Sequence, residues 1–249
     1  VQMRGARWAL DDRDAGAALQ RLAALPQGAA RRTLALRIKL KATRLARQTQ
    51  EALDTARLLG KHRAFSADAA QSIVRGLAIE LINSAHDPSQ LQQTWLQLEQ
   101  LERNMPELAI HAAQRLVNLG GEPAQARAWL VPVWERMVQL PNALPDHHAL
   151  KLVRALESGL DTLDAAWLAR IESAQLANPR DARLQYLAGV ACLKRQLWGK
   201  AQQLLTQAIP HLTDAGLRAS AWRHLAALAE RRNDGEAAAE AWKKAALAH

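Results

Sequence analysis

Apolar residues recur every three or four positions through most of this chain, and proline, glycine and Asn-Asp-Gly interrupt them often enough to mark roughly a dozen helices. The first predicted helix covers 15–25 and stops at Pro26, and two more cover 33–47 and 50–59. Ser66 caps a helix over 66–83 that closes before His86-Asp87-Pro88, where proline forbids continuation. Another covers 90–104. Pro106 opens a helix ending at Gly120-Gly121, and Pro123 opens one reaching about residue 140, kinked or broken at Pro132. The two prolines of Pro141-Asn142-Ala143-Leu144-Pro145-Asp146 exclude a continuous helix, so the joint of the chain is placed there, between 1–140 and 146–249. Beyond it, helices are predicted over 147–158, 163–177, 182–195, 199–209, 217–231 and 236–248. Short connections make them antiparallel pairs.

The C-terminal pairs repeat one another. Ala188, Gly189, Cys192, Ala201, Leu205 and Ala208 place small residues where two helices of a hairpin approach closely. Trp222, Leu225, Ala226 and Ala229, then Ala238, Trp242 and Ala245 beyond Asn233-Asp234-Gly235, repeat the arrangement. This resembles the tetratricopeptide consensus, with Gly189 at the favoured glycine position and Ala226 in its place in the next unit. Looser units are read at Ile171 and Ala174, at Ala112, Leu116, Gly120, Ala126 and Leu130, and at Leu36, Leu40, Ala52 and Ala56. The fold expected is all-α: degenerate repeats over 1–140 and clearer ones over 146–249, stacked as one continuous right-handed superhelix of antiparallel helix pairs.

Composition agrees with helix. Alanine and leucine dominate, and aromatic residues make up only 4% of the chain, which gives strands little to use. No stretch approaches the roughly 18–20 apolar residues of a membrane span. The chain begins Val1-Gln2-Met3, from which a segment upstream is expected. Cys192, the one cysteine, cannot form an internal disulfide and falls at a packing position. The net charge of +9 is concentrated: ten Lys or Arg against Glu51 and Asp54 give residues 31–63 a net of +8. Within that region Arg37, Lys41, Arg44 and Arg47 share one side of a helix, with Leu34, Ile38, Ala42 and Leu45 on the other. Such a helix packs its apolar stripe on the repeats and offers charge to solvent, anionic lipid, an acidic protein face or a porphyrin carboxylate. Nucleic acid is not expected, because no aromatic stacking platform accompanies the charge.

Taken in order, the segments Leu34 to Ala42, Glu51-Ala52-Leu53, Trp95 to Ala109 and the C-terminal repeats resemble the soluble part of the bacterial HemY-like family of tetratricopeptide proteins. The resemblance implies an amino-terminal membrane anchor preceding this chain and a position on the cytoplasmic side of the inner membrane. It also implies a scaffold for late haem-biosynthesis enzymes, or alternatively a chaperone that shields or hands over haem or porphyrin.

In tetratricopeptide proteins the first helix of each unit lines a groove. By that resemblance the partner-binding positions are Arg183, Tyr186, Val190, Leu193 and Lys194 in one unit, and Ser220, Arg223, Ala227, Glu230 and Arg231 in the next. No catalytic residues are assigned: there is no nucleophile elbow, phosphate-cradling glycine loop or dinucleotide fingerprint. No metal site is assigned either, since the eight histidines lack ligand spacing and read as surface or helix-end residues. Trp129, Trp134, Trp222 and Trp242 read as core, and no cofactor is required.

Overall fold

The computed structural model of the chain describes residues 2–139 and 143–248 and contains helices without strands among them. The helices group into two compact units, residues 1–120 and 121–249. The division falls at Gly120-Gly121, ahead of the Pro141–Asp146 joint read from the sequence; part of that joint, residues 140–142, lies outside the described residues.

The first unit comprises α1 (Gln2–Asp11), α2 (Ala15–Ala23), α3 (Gln27–Ala30), α4 (Thr33–Leu45), α5 (Thr49–Lys61), α6 (Ala67–Ser84), α7 (Pro88–Gln97), α8 (Gln100–Arg103) and α9 (Pro106–Asn118). Helix α1 was not predicted, and its sequence explains why. Its buried face is Gly5, Ala6 and Ala9, small residues that carry no hydrophobic periodicity, while Trp8 is exposed. The helix expected over 90–104 is two, separated by the extended residues Leu98 and Glu99. Helices α1, α2 and α4 pack around Ala6, Leu22, Ala35 and Ile38 at one level and Ala9, Ala18 and Ala42 at the next.

The second unit comprises α10 (Pro123–Gln139), α11 (Asp146–Ser158), α12 (Ala165–Ala177), α13 (Ala182–Lys194), α14 (Trp198–Ala208), α15 (Ala215–Arg231) and α16 (Gly235–Leu247). Pro132 does not break α10. Helices α13/α14 and α15/α16 form hairpins, α14 packs on α15, and α11 and α12 both pack on α13. Gly189 makes the first hairpin close: a Cβ built there would lie 2.9 Å from Cγ of the fully buried Leu205. At the matching place of the second hairpin, Ala226 is itself fully buried.

Five hairpins turn by one device. Arg13 (α1/α2), Arg47 (α4/α5), Arg63 (α5/α6), Gln196 (α13/α14) and Asn233 (α15/α16) each adopt φ between +52° and +61°. The next amide then reaches back to the fifth residue before it, as in Asp14 N to Ala9 O at 2.7 Å and Gln48 N to Thr43 O at 2.9 Å. This satisfies the carbonyls that a helix end leaves free. Arg13 and Arg47 are 34 positions apart (47 − 13), so a repeat spacing exists at the start of the chain where side chains alone do not reveal it.

Arginines from other helices finish further helix ends, Arg115 half-buried and Arg127 buried. Arg115 of α9 donates to the carbonyls of Ile82, Asn83 and Ala85 at the end of α6. Arg127 of α10, 4% exposed, donates to Gly159 O and to both oxygens of Thr162 beyond α11. Each guanidinium replaces the water that the last carbonyls would otherwise need.

Candidate binding sites

At the amino-terminal ends of α11, α13 and α15 the second unit opens a cleft of about 880 Å³. Its apolar surface includes Met137, Leu144, Leu150, Leu184, Leu212 and Leu217, and its polar rim carries Asp146, His147, Arg180, Asp181, His211 and Asp214. Two of the aspartates are set by helix formation itself. Asp181 accepts from Arg183 N at 2.9 Å, and Asp214 accepts from Leu217 N at 2.8 Å, so each caps a helix opening on the cleft. Arg183 pairs with Asp181 at 3.1 Å and Asp146 at 3.3 Å, while Arg154 pairs with Asp214 at 2.9 Å. The hydrogen bond to Asp181 raises the Arg183 pKa against the opposing effect of burial. With the aspartates matched in this way, the exposed side chains of Arg180, His147 and His211 are free to meet a ligand's polar groups. A concave apolar floor with a few convergent polar groups suits an extended segment or a small amphipathic molecule.

The groove positions are not equally open. Arg223, Ala227, Glu230 and Arg231 of α15 are exposed, and Ser220 is half-buried. Tyr186 and Val190 of α13, expected on the open face, are instead buried at 0% and 1% exposure. The reason is that α13 is enclosed by its neighbours from Ala182 to Cys192. Tyr186 donates to Glu157 Oε1 of α11 at 2.6 Å and lies 2.9 Å from Ser220 Oγ of α15. His224 Nε2 is 3.4 Å from the same carboxylate oxygen. Burial alone would push the Glu157 carboxyl up, but the bonds from His224, Tyr186 and Ser220 outweigh it and hold the carboxyl below the usual range. Burial, then the Glu157 carboxylate, pushes the Tyr186 phenol well above its usual range, so it stays protonated. This cluster ties three helices together.

The remaining groove cations are engaged. Arg183 is half-buried in the ion pairs above, Lys194 pairs with Asp161, and Arg231 lies 4.9 Å over the Trp198 ring. Glu230 accepts from the Trp242 indole at 2.7 Å. Trp242 is therefore a partly exposed polar contact and not the core residue expected, because α16 packs chiefly against α15. Trp129 and Trp134 are buried as expected. Cys192 is buried, which pushes its thiol up. Among the histidines, His148 is buried instead of lying on the surface. No group of three or more potential metal ligands occurs among the described residues.

In the first unit Arg37, Lys41, Arg44 and Arg47 are all exposed on or just beyond α4. The apolar stripe differs from the expected one. Ile38 and Ala42 are buried, but Leu34 and Leu45 are 59% and 45% exposed; Ala35, Leu36 and Leu40 are buried instead. Arg37 donates to Ala64 O at 2.6 Å and lies 5.4 Å over Phe65.

The cleft went unpredicted because it joins helix ends far apart in sequence; Asp181 and Asp214, each standing just before a helix, are the only local traces of it. Comparison with protein-family models and with curated proteins finds no match to this chain.

Proposed function

We propose that this chain is a non-catalytic scaffold of the tetratricopeptide kind, whose second unit stacks its helix pairs in a right-handed superhelix and holds a segment of a partner protein. The observation that carries this reading is the cleft of about 880 Å³ at the openings of α11, α13 and α15, with its apolar floor and polar rim. Gly189 packed on Leu205, and the 34-residue interval between hydrogen-bonded Tyr186 and Ser220, support the repeat assignment. The exposed positions Arg223, Ala227, Glu230 and Arg231 extend the surface available to a partner. On the resemblance to HemY-like proteins, the partners are enzymes of late haem biosynthesis. An amino-terminal anchor outside this chain then holds it on the cytoplasmic side of the bacterial inner membrane.

The test is affinity capture of the full-length protein beside a variant with His147→Ala, Arg180→Ala and His211→Ala, all at exposed rim positions. Recovery of late haem-biosynthesis enzymes with the wild type and their loss with the variant supports the reading. Equal recovery, or none, overturns it.

A second reading, a haem or porphyrin chaperone, draws on the same cleft. His147 and His211 are imidazoles on its rim, and Arg180 is a cation suited to a tetrapyrrole carboxylate. Titration with protoporphyrin distinguishes it: a saturable Soret shift removed by the three rim substitutions favours the chaperone, and an unshifted spectrum removes it.

A further inference from the structure

We propose that the outer face of α4 is a docking surface for an anionic phospholipid bilayer, independently of any anchor and of the cleft's partner. The argument begins with helix arithmetic. Leu34, Arg37, Lys41, Arg44 and Leu45 follow at intervals of three, four, three and one, which keeps them on one exposed stripe about 16 Å long. Arg47 follows at the helix end.

Two features distinguish this stripe from an ordinary solvated face. The side chains of Lys41, Arg44 and Arg47 take no ion-pair or hydrogen-bond partner among the described residues, so like charges three or four positions apart repel one another along the stripe without a compensating acid. The leucines at the two ends of the stripe are exposed, although the helix has a separate buried face made by Ala35, Leu36, Ile38, Leu40 and Ala42. Both features cost something in water and are repaid at a lipid interface. Leucine can enter the boundary between headgroups and acyl chains, while long cationic side chains reach back to phosphates. Charge complementarity selects the anionic bilayer, and the fixed contact of Arg37 with Ala64 and Phe65 holds the helix in place without using the other cations. An acidic protein face is the competing occupant. The free cations and protruding leucines form a single helical ridge, which fits a fluid surface better than a shaped one.

The experiment is co-sedimentation of this chain with vesicles of phosphatidylcholine alone, and with vesicles of equal parts phosphatidylcholine and phosphatidylglycerol. It compares wild type with Lys41→Gln/Arg44→Gln/Arg47→Gln and with Leu34→Ser/Leu45→Ser. All five positions are exposed or end a helix, and circular dichroism checks that both variants stay folded. Wild type is expected on the anionic vesicles only, released by salt, with the triple variant weakened on the order of a hundredfold. The leucine variant is expected to bind more weakly than wild type at every salt concentration. Binding to neutral vesicles as strong as to anionic ones, or unchanged binding of the triple variant, would overturn the proposal. Indifference to both vesicles combined with capture by immobilised polyglutamate would assign the stripe to an acidic protein instead. Full binding by the leucine variant would overturn the apolar half of the assignment.

Discussion

The Tyr186 hydroxyl donates to Glu157 Oε1 at 2.6 Å, joining α13 to α11 through a phenol that is wholly buried. One hydroxyl hydrogen cannot serve two acceptors, so with the carboxylate taking it, Ser220 Oγ, 2.9 Å from the phenol oxygen and 3.5 Å from the carboxylate oxygen, offers its own hydrogen to this pair. The same carboxylate oxygen faces His224 at 3.4 Å. A polar group so placed is tolerated because each of its neighbours is itself satisfied by it.

Removing the hydroxyl by Tyr186→Phe leaves Glu157 without its shortest bond. Hydrogen bonds to charged groups contribute about 1.5–3 kcal/mol, and a loss of that order is expected in urea unfolding. Glu157→Gln keeps the shape and loses less.

The pH dependence follows from the same cluster. Because the Glu157 carboxyl is held below its usual range in the folded chain, its contribution is present above the unfolded pKa of about 4.3 and is lost as pH falls through the lower folded value. The Tyr186 phenol is raised, so its contribution is intact below the unfolded pKa of about 10 and declines as pH rises beyond it. Unfolding measured across pH should therefore lose its acid-side slope in part on Glu157→Gln, and its alkaline-side slope in part on Tyr186→Phe. Slopes identical to wild type would show that the cluster does not govern either limb.

Gly189 is the contact on which the α13/α14 hairpin closes. Gly189→Ala puts a methyl 2.9 Å from Leu205 Cγ and 3.1 Å from its Cδ2, in a site where Leu205 has no exposed side to retreat to. Overpacking of this kind costs about 1–3 kcal/mol, more than the gain from replacing a helical glycine. Thermal unfolding reads the sign: a raised midpoint would mean that Leu205 repacks freely.

The C-terminal hairpins were legible because Gly189, Ala226 and Asn233-Asp234-Gly235 advertise close contact and turn chemistry in the side chains themselves. The turns at Arg47 and Gln196 were legible in position, from the breaks between 33–47 and 50–59 and between 182–195 and 199–209, but not in their backbone device, and the turn at Arg13 was missed with α1, since residues with no preference for positive φ stand where glycine would have announced a helix end. Tyr186 was misplaced for a different reason. The tetratricopeptide resemblance puts it on the open face of α13, and only the tertiary approach of Glu157, 29 positions earlier, and Ser220, 34 positions later, buries it. Leu34 and Leu45 show the reverse: read as lying opposite the cations, they fall beside Lys41 at 100° per residue, and the buried face is made by Ala35, Leu36, Ile38, Leu40 and Ala42.

The same turns make a stabilising prediction. A non-glycine residue at φ near +60° carries strain of about 1 kcal/mol, partly offset in glycine by its greater freedom when unfolded. Arg13→Gly and Gln196→Gly should each raise stability by about 0.5–1 kcal/mol, and Asn233→Gly by less, since asparagine tolerates this conformation. Urea midpoints of the three single variants test the ranking.

In the first unit, Arg57 of α5 and Glu102 of α8 form a two-pronged pair, Nε to Oε1 at 2.8 Å and Nη2 to Oε2 at 2.6 Å. Glu102 is 3% exposed, and its Oε2 also accepts from the Glu99 amide at 2.8 Å, so this carboxylate both starts α8 and anchors it to α5. The hydrogen bond to Glu102 raises the Arg57 pKa against the opposing effect of burial. Glu102→Ala is expected to cost about 1.5–3 kcal/mol, because Arg57 keeps its pair with Asp54 at 2.9 Å. Arg57→Met strands the buried Glu102 carboxylate in a site that water reaches poorly and is expected to cost more, about 3–5 kcal/mol. The double variant Arg57→Met/Glu102→Leu removes both charges and keeps the volume, so it should recover much of that loss even though the Glu99 amide loses its acceptor. A double-mutant cycle in urea measures the coupling directly. Additive losses in the double variant would show that the two side chains stabilise the unit separately, through packing and the α8 cap, and not through their charge pair.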